Sequence, residues 1–123
     1  MHWGDLVAAK VATHGQLVLG IDPAPEHAPF ALAQNPGSFL RRYTEVLMVA
    51  AYGLVGFVKF QSAFFEAFGS NGVAELARAI ALAKELGYAV ILDAKRGDIG
   101  STAEAYAQAY LSPAHAGDKY ACA

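Results

Sequence analysis

Asp93 and Lys95 stand two residues apart at the end of an apolar run, and Asp98 follows three residues later. Residues i and i+2 of a strand point to one side, so this spacing predicts a carboxylate and an ammonium side by side, with a second carboxylate in the loop beyond. Lys59 interrupts another apolar stretch, FVKFQ, and adds a second cation. If the two stretches are neighbouring strands, two cations and two anions alternate along one rim of a sheet, and the fixed carboxylates hold a lysine charged and aimed. An array of this kind can stabilise negative charge that develops in a transition state and can deliver a proton to it. The plain alternative is a structural salt-bridge network at strand ends. Asp22, beside Pro23 at the end of a further apolar run, is either part of the same rim or a turn carboxylate only.

The elements that must carry these residues follow from periodicity. Residues 17–21 form a short apolar run closed by Asp22-Pro23-Ala24-Pro25, the pattern of a strand buried on both faces. Asn35-Pro36 offers a helix cap with proline at the first helical position, and Phe39, Tyr43, Val46, Leu47, Ala50 and Leu54 recur at helical spacing up to Gly53 and Gly56. Residues 57–61 form a second strand. Ser70-Asn71-Gly72 opens a second helix with Val73, Leu76, Ile80 and Ala83 on one face and Gly87 as its cap. Residues 88–92 are a third strand, and Ser101-Thr102-Ala103-Glu104 matches a capping box for a helix ending near Leu111. Strand–helix alternation specifies an α/β fold, a parallel sheet covered by helices, with its chemistry at the carboxyl ends of the strands. The sheet is either doubly wound or closed as a barrel; residues 1–111 read as its one domain and 112–123 as a loose C-terminal tail.

Composition removes several classes of function. The 123 residues fit one domain of the usual ~100–150 residues, and 55% hydrophobic against 16% charged is the opposite of a disordered chain. A net charge of −2 offers no positive field for nucleic acid or anionic lipid. The longest uncharged run, 46–58, falls short of the ~18 apolar residues of a membrane span and reads as buried helix followed by strand. The opening Met-His-Trp-Gly-Asp lacks the basic stretch and apolar core of a secretory signal. The lone Cys122 allows no internal disulfide and has no histidines at metal-ligand spacing, so a cytoplasmic protein without a metal is expected. Arg96-Gly97-Asp98 spells an adhesion tripeptide by coincidence, and the Gly97–Gly100 and Gly69–Gly72 stretches complete no phosphate-loop pattern. Phe64, Phe65 and Phe68 read as core, Glu66 as structural, and His14 and His27 as solvated.

The stretch ILDAKRGDIGST, residues 91–102, resembles the Asp-x-Lys-x-x-Asp signature of the orotidine 5'-phosphate decarboxylase family. With Gly20-Ile21-Asp22-Pro23 and VKFQSAFFE (58–66) in the same order, the chain is similar to the bacterial subgroup of that family over residues 17–111. The resemblance implies that Lys95 donates the proton to the pyrimidine carbon that loses carbon dioxide, with Asp93 beside the departing carboxylate. It implies Lys59 and Asp22 on the ribose hydroxyls, and Asp98 and Thr102 reaching into the partner's site of a homodimer. No cofactor is implied, because the charges are already oriented toward the transition state. The expected product is UMP, in pyrimidine biosynthesis.

A closed (β/α)8 barrel takes about 250 residues. The resemblance therefore implies the N-terminal three βα units of a TIM barrel, incomplete, with open edges and an uncovered inner face. The family's phosphate-binding loops and pyrimidine-reading groups belong to later strands, so weak or no activity is expected of this chain alone. Two alternatives are a magnesium-dependent sugar-phosphate decarboxylase or aldolase of the same superfamily and a non-catalytic dimerising fragment. Lys59 opposes the first, since an ammonium stands where a hard cation would need a carboxylate.

Overall fold

Each of the three apolar runs forms a strand in the protein's computed structural model, which describes residues 1–29 and 37–111. The strands β1 (Val18–Ile21), β2 (Phe57–Gln61) and β3 (Ala89–Asp93) pair in parallel in the order β1-β2-β3. Helix α1 (Trp3–His14) precedes β1, and α2 (Phe39–Ala50) links β1 to β2. A short α3 (Ser62–Glu66) and a longer α4 (Gly69–Glu85) link β2 to β3, and α5 (Gly100–Leu111) follows β3. The result is three βα units of an α/β barrel, an incomplete α/β fragment. The Asn35-Pro36 cap and the 112–123 tail, with Cys122, lie outside the described residues.

Register divides the sheet into two faces. Leu19, Val58 and Val90 align in one row and Ile21, Phe60 and Leu92 in the next. These residues meet Phe39, Leu40 and Met48 of α2, Phe65 of α3, and Leu76, Ala79, Ile80 and Ala83 of α4 in a single core. Gly20, Lys59 and Ile91 form a row on the opposite face, and Gln61 aligns with Asp93 one pleat closer to the carboxyl end. The expectation of a bare inner face is corrected by α1, whose Trp3, Val7 and Val11 lie over Val18, Phe57 and Ile91 at the lower end of that face. Their i, i+4, i+8 spacing is the sequence signal for this helix, which precedes the first strand and is not among the expected elements.

Helix boundaries follow their caps. At the end of α4, Tyr88 N–H donates to Ala83 O and Gly87 N–H to Lys84 O, both at 2.9 Å, while Gly87 takes φ +82°. This is a Schellman cap, as Gly87 predicts, and it shifts β3 one residue later than 88–92. At the start of α4, Gly72 packs so tightly on α3 that a Cβ there would lie 1.8 Å from Phe65 O. Helix α5 begins at Gly100, so Ser101 lies inside its first turn and not at the expected cap.

The face expected for α2 is rotated. Phe39, Leu40, Thr44 and Met48 are buried, whereas Val46 is 51% and Leu54 72% exposed and the helix stops at Ala50. The run 46–58 is therefore the end of α2, with Met48 buried, then an exposed turn at 51–54 and the start of the buried strand β2. The Tyr88 hydroxyl donates to Met48 O at 2.7 Å, satisfying one of the carbonyls left open at the end of α2. Tyr88→Phe is expected to cost about 1 kcal/mol, read as a lower urea midpoint at unchanged slope.

The aromatic cluster behaves as core. Phe65 is fully buried against the edge of Phe60, and Phe68 stacks on Phe39, while Phe64 stays 40% exposed. His27 is exposed, but His14 is not the solvated residue expected. It is half-buried against Gly56, where a Cβ would come within 3.3 Å of the imidazole.

Candidate active site

Parallel strands end together, and their carboxyl ends carry the charged side chains. Lys59 sits between Val58 and Phe60, both fully buried on the helix-covered face, so alternation turns its ammonium to the other face. There its Nζ donates to Gln61 Oε1 at 2.8 Å and lies 4.0 Å from Asp93 Oδ2. Lys95 Nζ donates to Asp93 Oδ1 at 2.5 Å. The carboxylate of Asp93 thus lies between two ammonium groups, one on each oxygen.

Lys95 reaches this position differently from the expected strand alternation. The strand ends at Asp93, and Lys95 lies in the following loop at φ +43°, the one non-glycine residue with positive φ among the described residues. A side chain at such an angle is uncommon and is held there by its surroundings. Its side chain is 76% exposed, against 29% for Asp93 and 33% for Lys59. The lysine stands at the open mouth of the site and the carboxylate deeper.

The hydrogen bond from Lys95, aided by the charges of Lys95 and Lys59 and a bond from Gln61, holds the Asp93 carboxyl below its ordinary value against some loss of hydration. Because the folded value is depressed, the stability this contributes is complete above about pH 3.9, where a free aspartate titrates. It is lost as pH falls through the lower folded value. Carboxyl 13C NMR should find Asp93 titrating below a peptide aspartate, and Lys95→Ala should move the midpoint upward.

The other expected site residues are not drawn into this group within one chain. The Asp98 carboxylate accepts from Ile99 N–H at 2.8 Å, and among the described residues no ion pair includes it. Thr102 is exposed in the first turn of α5. Asp22 is exposed just beyond β1, near Tyr43, whose phenol pKa is raised by burial and then by the Asp22 charge.

Two residues gain roles that their types alone did not disclose. Glu66 Oε1 accepts from Ser62 Oγ at 2.6 Å and from Arg96 NH2, while Arg96 NH1 donates to Ala94 O. The Ser62 bond foremost, with Arg96, lowers the Glu66 pKa despite partial burial. Arg96 and Glu66 are 30 residues apart in sequence, and no local spacing connects them. Gln61 was open to detection, being two residues from Lys59 on the same strand. Among the described residues no group of three or more His, Cys, Asp or Glu could hold a metal ion, and no helix is long and apolar enough to cross a membrane.

A parallel βα sheet with a lysine–aspartate–lysine run at its strand ends defines a barrel-type α/β protein with a charged strand-end site. The profile of the orotidine 5'-phosphate decarboxylase / HUMPS family matches residues 15–118, and the chain belongs to that family. It is 46% identical over 113 residues to the orotidine 5'-phosphate decarboxylase of a Nocardioides species, covering 90% of this chain and 41% of that protein. The enzyme of the same name from Salinispora arenicola is 46% identical over 111 residues, 90% of this chain and 40% of the relative. A crystal structure from Streptomyces avermitilis, ascribed to the same enzyme, superposes with a TM-score of 0.75 at 41% identity, covering 88% of this chain and 38% of that one. The chain spans about 40% of the length of the curated relatives it matches.

Proposed function

We propose that the chain carries the charged half of an orotidine 5'-phosphate decarboxylase site, which converts orotidine 5'-phosphate to UMP and carbon dioxide. The observation that carries this is the run Lys59–Asp93–Lys95 at the strand ends, with Lys95 at φ +43° pointing back onto Asp93. In the reaction the bond between the pyrimidine carbon and its carboxylate breaks. Carbon dioxide leaves, and the bonding electrons stay on the ring carbon. The Lys95 ammonium stabilises that charge and then gives it a proton, after which the amine recovers a proton from water. Asp93 lies beside the departing carboxylate and orients Lys95. Lys59 and Asp22 hold the ribose hydroxyls. Preorganised charge of this kind requires no reorganisation as the transition state forms.

Asp98 and Thr102 act on the partner's site of a homodimer. Their exposure on the loop and first turn after β3, with no ion pair to Asp98 within the described residues, supports that assignment. The enzyme works in the cytoplasm without a cofactor. Lys59 beside Asp93 speaks against the magnesium-dependent alternative, because it places a positive charge where the cation would bind.

The test is the ultraviolet absorbance of orotidine 5'-phosphate with a chelator present, using the 123 residues alone and supplemented with the remaining barrel segment of the Nocardioides relative. Absorbance should fall in the supplemented sample and little or not at all in the other. A flat trace in both would leave the non-catalytic dimerising fragment as the better account. Sedimentation showing only monomer in the active sample would remove the shared-site assignment of Asp98 and Thr102.

A further inference from the structure

The loop that carries Lys95 is gripped from outside the charged site. Arg96 follows Lys95 directly, yet its side chain is only 27% exposed. It turns away from the mouth of the site and sends one arm of its guanidinium to Ala94 O and the other to Glu66 Oε1. Ala94 O belongs to the peptide that leads into Lys95, so the first arm fixes the backbone on the near side of the positive-φ residue. The second arm ties that backbone to α3, and Ser62, itself 3% exposed, fixes Glu66 from the other side at 2.6 Å. Helix α3 is a firm anchor, because Phe65 between Ser62 and Glu66 is fully buried in the core. From α5 the Tyr110 ring stands 6.0 Å from the guanidinium carbon.

We infer that Glu66 and Arg96 form a positioning pair that sets the backbone of the 93–98 loop and thereby the reach of the Lys95 ammonium onto Asp93. Neither residue touches the Lys59–Asp93–Lys95 run through its charged group. They act through Ala94, one from within the loop and one from α3. The assignment rests on the proposed role of Lys95 for its catalytic meaning, while its structural content stands apart from that role. A planar fork is essential, since one guanidinium serves a carbonyl and a carboxylate in two directions and an ammonium on a flexible stem does not match it.

The first test uses the chain as it is, with Glu66→Gln and Arg96→Lys, two substitutions that keep size and, in the second case, charge. The readouts are the carboxyl 13C titration of Asp93, which is faced by Lys95, Lys59 and Gln61, and amide exchange at residues 94–98. Both variants should raise the Asp93 midpoint toward that of a free aspartate and speed exchange at 95–97 by about tenfold, a local opening of the loop. A fall in melting temperature with the Asp93 midpoint and loop exchange unchanged would mean that the pair merely braces α3, and would overturn the inference. Arg96→Lys behaving as the parent, with only Glu66→Gln altered, would overturn the fork.

In the supplemented enzyme the same variants should lower kcat by about 10–100-fold with KM changed less than threefold, the signature of a misplaced reacting group. Failure of the proposed function is separable from failure of this inference. If Lys95→Ala leaves turnover intact while the loop readouts respond to Glu66→Gln, the decarboxylase role falls and the positioning pair stands.

Discussion

Lys95→Ala is expected to lower kcat/KM for orotidine 5'-phosphate by about 10⁴-fold or more in the supplemented enzyme, because one side chain carries two tasks. It is the cation nearest the carbon that gains negative charge, and it is the acid that quenches that charge. Its removal also changes the ground state. Asp93 would retain the bond from Gln61 and, as its one remaining cation, Lys59 at 4.0 Å, and would face the substrate's carboxylate less neutralised than before. Lys95→Arg separates the two tasks. A guanidinium keeps the charge but does not give up a proton at neutral pH, so it should recover part of the binding and little of the turnover. A Lys95→Ala rate within tenfold of the parent, measured by the same absorbance change, would remove Lys95 from the mechanism.

Gly72→Ala should produce a large loss of stability, since a Cβ there makes the closest approach of any tested at the glycines of the described residues. The new Cβ would lie 1.8 Å from Phe65 O and 2.9 Å from the Cβ of Phe68. Neither neighbour can yield cheaply. The first is backbone of α3, whose Phe65 side chain is locked in the core, and the second packs on Phe39. The expected cost is about 3 kcal/mol, at the top of the usual overpacking range. That corresponds to a fall in melting temperature on the order of 15 °C for a domain of this size. Gly20→Ala is the control, since a Cβ there meets nothing within 4 Å. Equal melting temperatures for the two variants would show that α3 and α4 separate more freely than their contact implies. Because α3 bears Glu66, a stable Gly72→Ala variant would also be expected to loosen the 93–98 loop.

The strands were legible because parallel strands read as unbroken apolar runs, and turn chemistry marked their ends at Asp22-Pro23 and Gly87; burial on both faces, expected for β1, is not found, since Val18 and Gly20 are exposed and only Ile21 is buried. The same logic found Lys59, whose charge is conspicuous only against such a run. Amphipathic helices gave weaker guidance. In α2 the apolar residues surround the helix, so period alone selected Val46 and Leu54 where the fold buries Leu40, Thr44 and Met48. Thr44 buries at no penalty because its hydroxyl donates to Arg41 O at 3.0 Å, a local solution that a hydropathy pattern does not register. In α1 small residues dilute the Trp3–Val7–Val11 stripe until it falls below notice. Of the site, the Asp93–Lys95 contact was legible as spacing, but its route through a left-handed residue was not. The Glu66–Arg96 pair depends on how α3 folds back beneath the loop after β3, and such a contact exists only once the chain is folded.

The alternation along β2 limits how this part of the chain can change by descent. Lys59 is flanked by Val58 and Phe60, both wholly inaccessible to water, and Gln61 restores the polar side one residue later. A substitution at one of these positions acts on that residue's own contacts and leaves the others facing as before. Gain or loss of a single residue in β2 ahead of Lys59 instead inverts the rest of the strand, carrying the ammonium into the hydrocarbon core and a phenylalanine to the mouth of the site. Between Gly56 and Ser62 the number of residues is therefore held as firmly as the polar or apolar character of each.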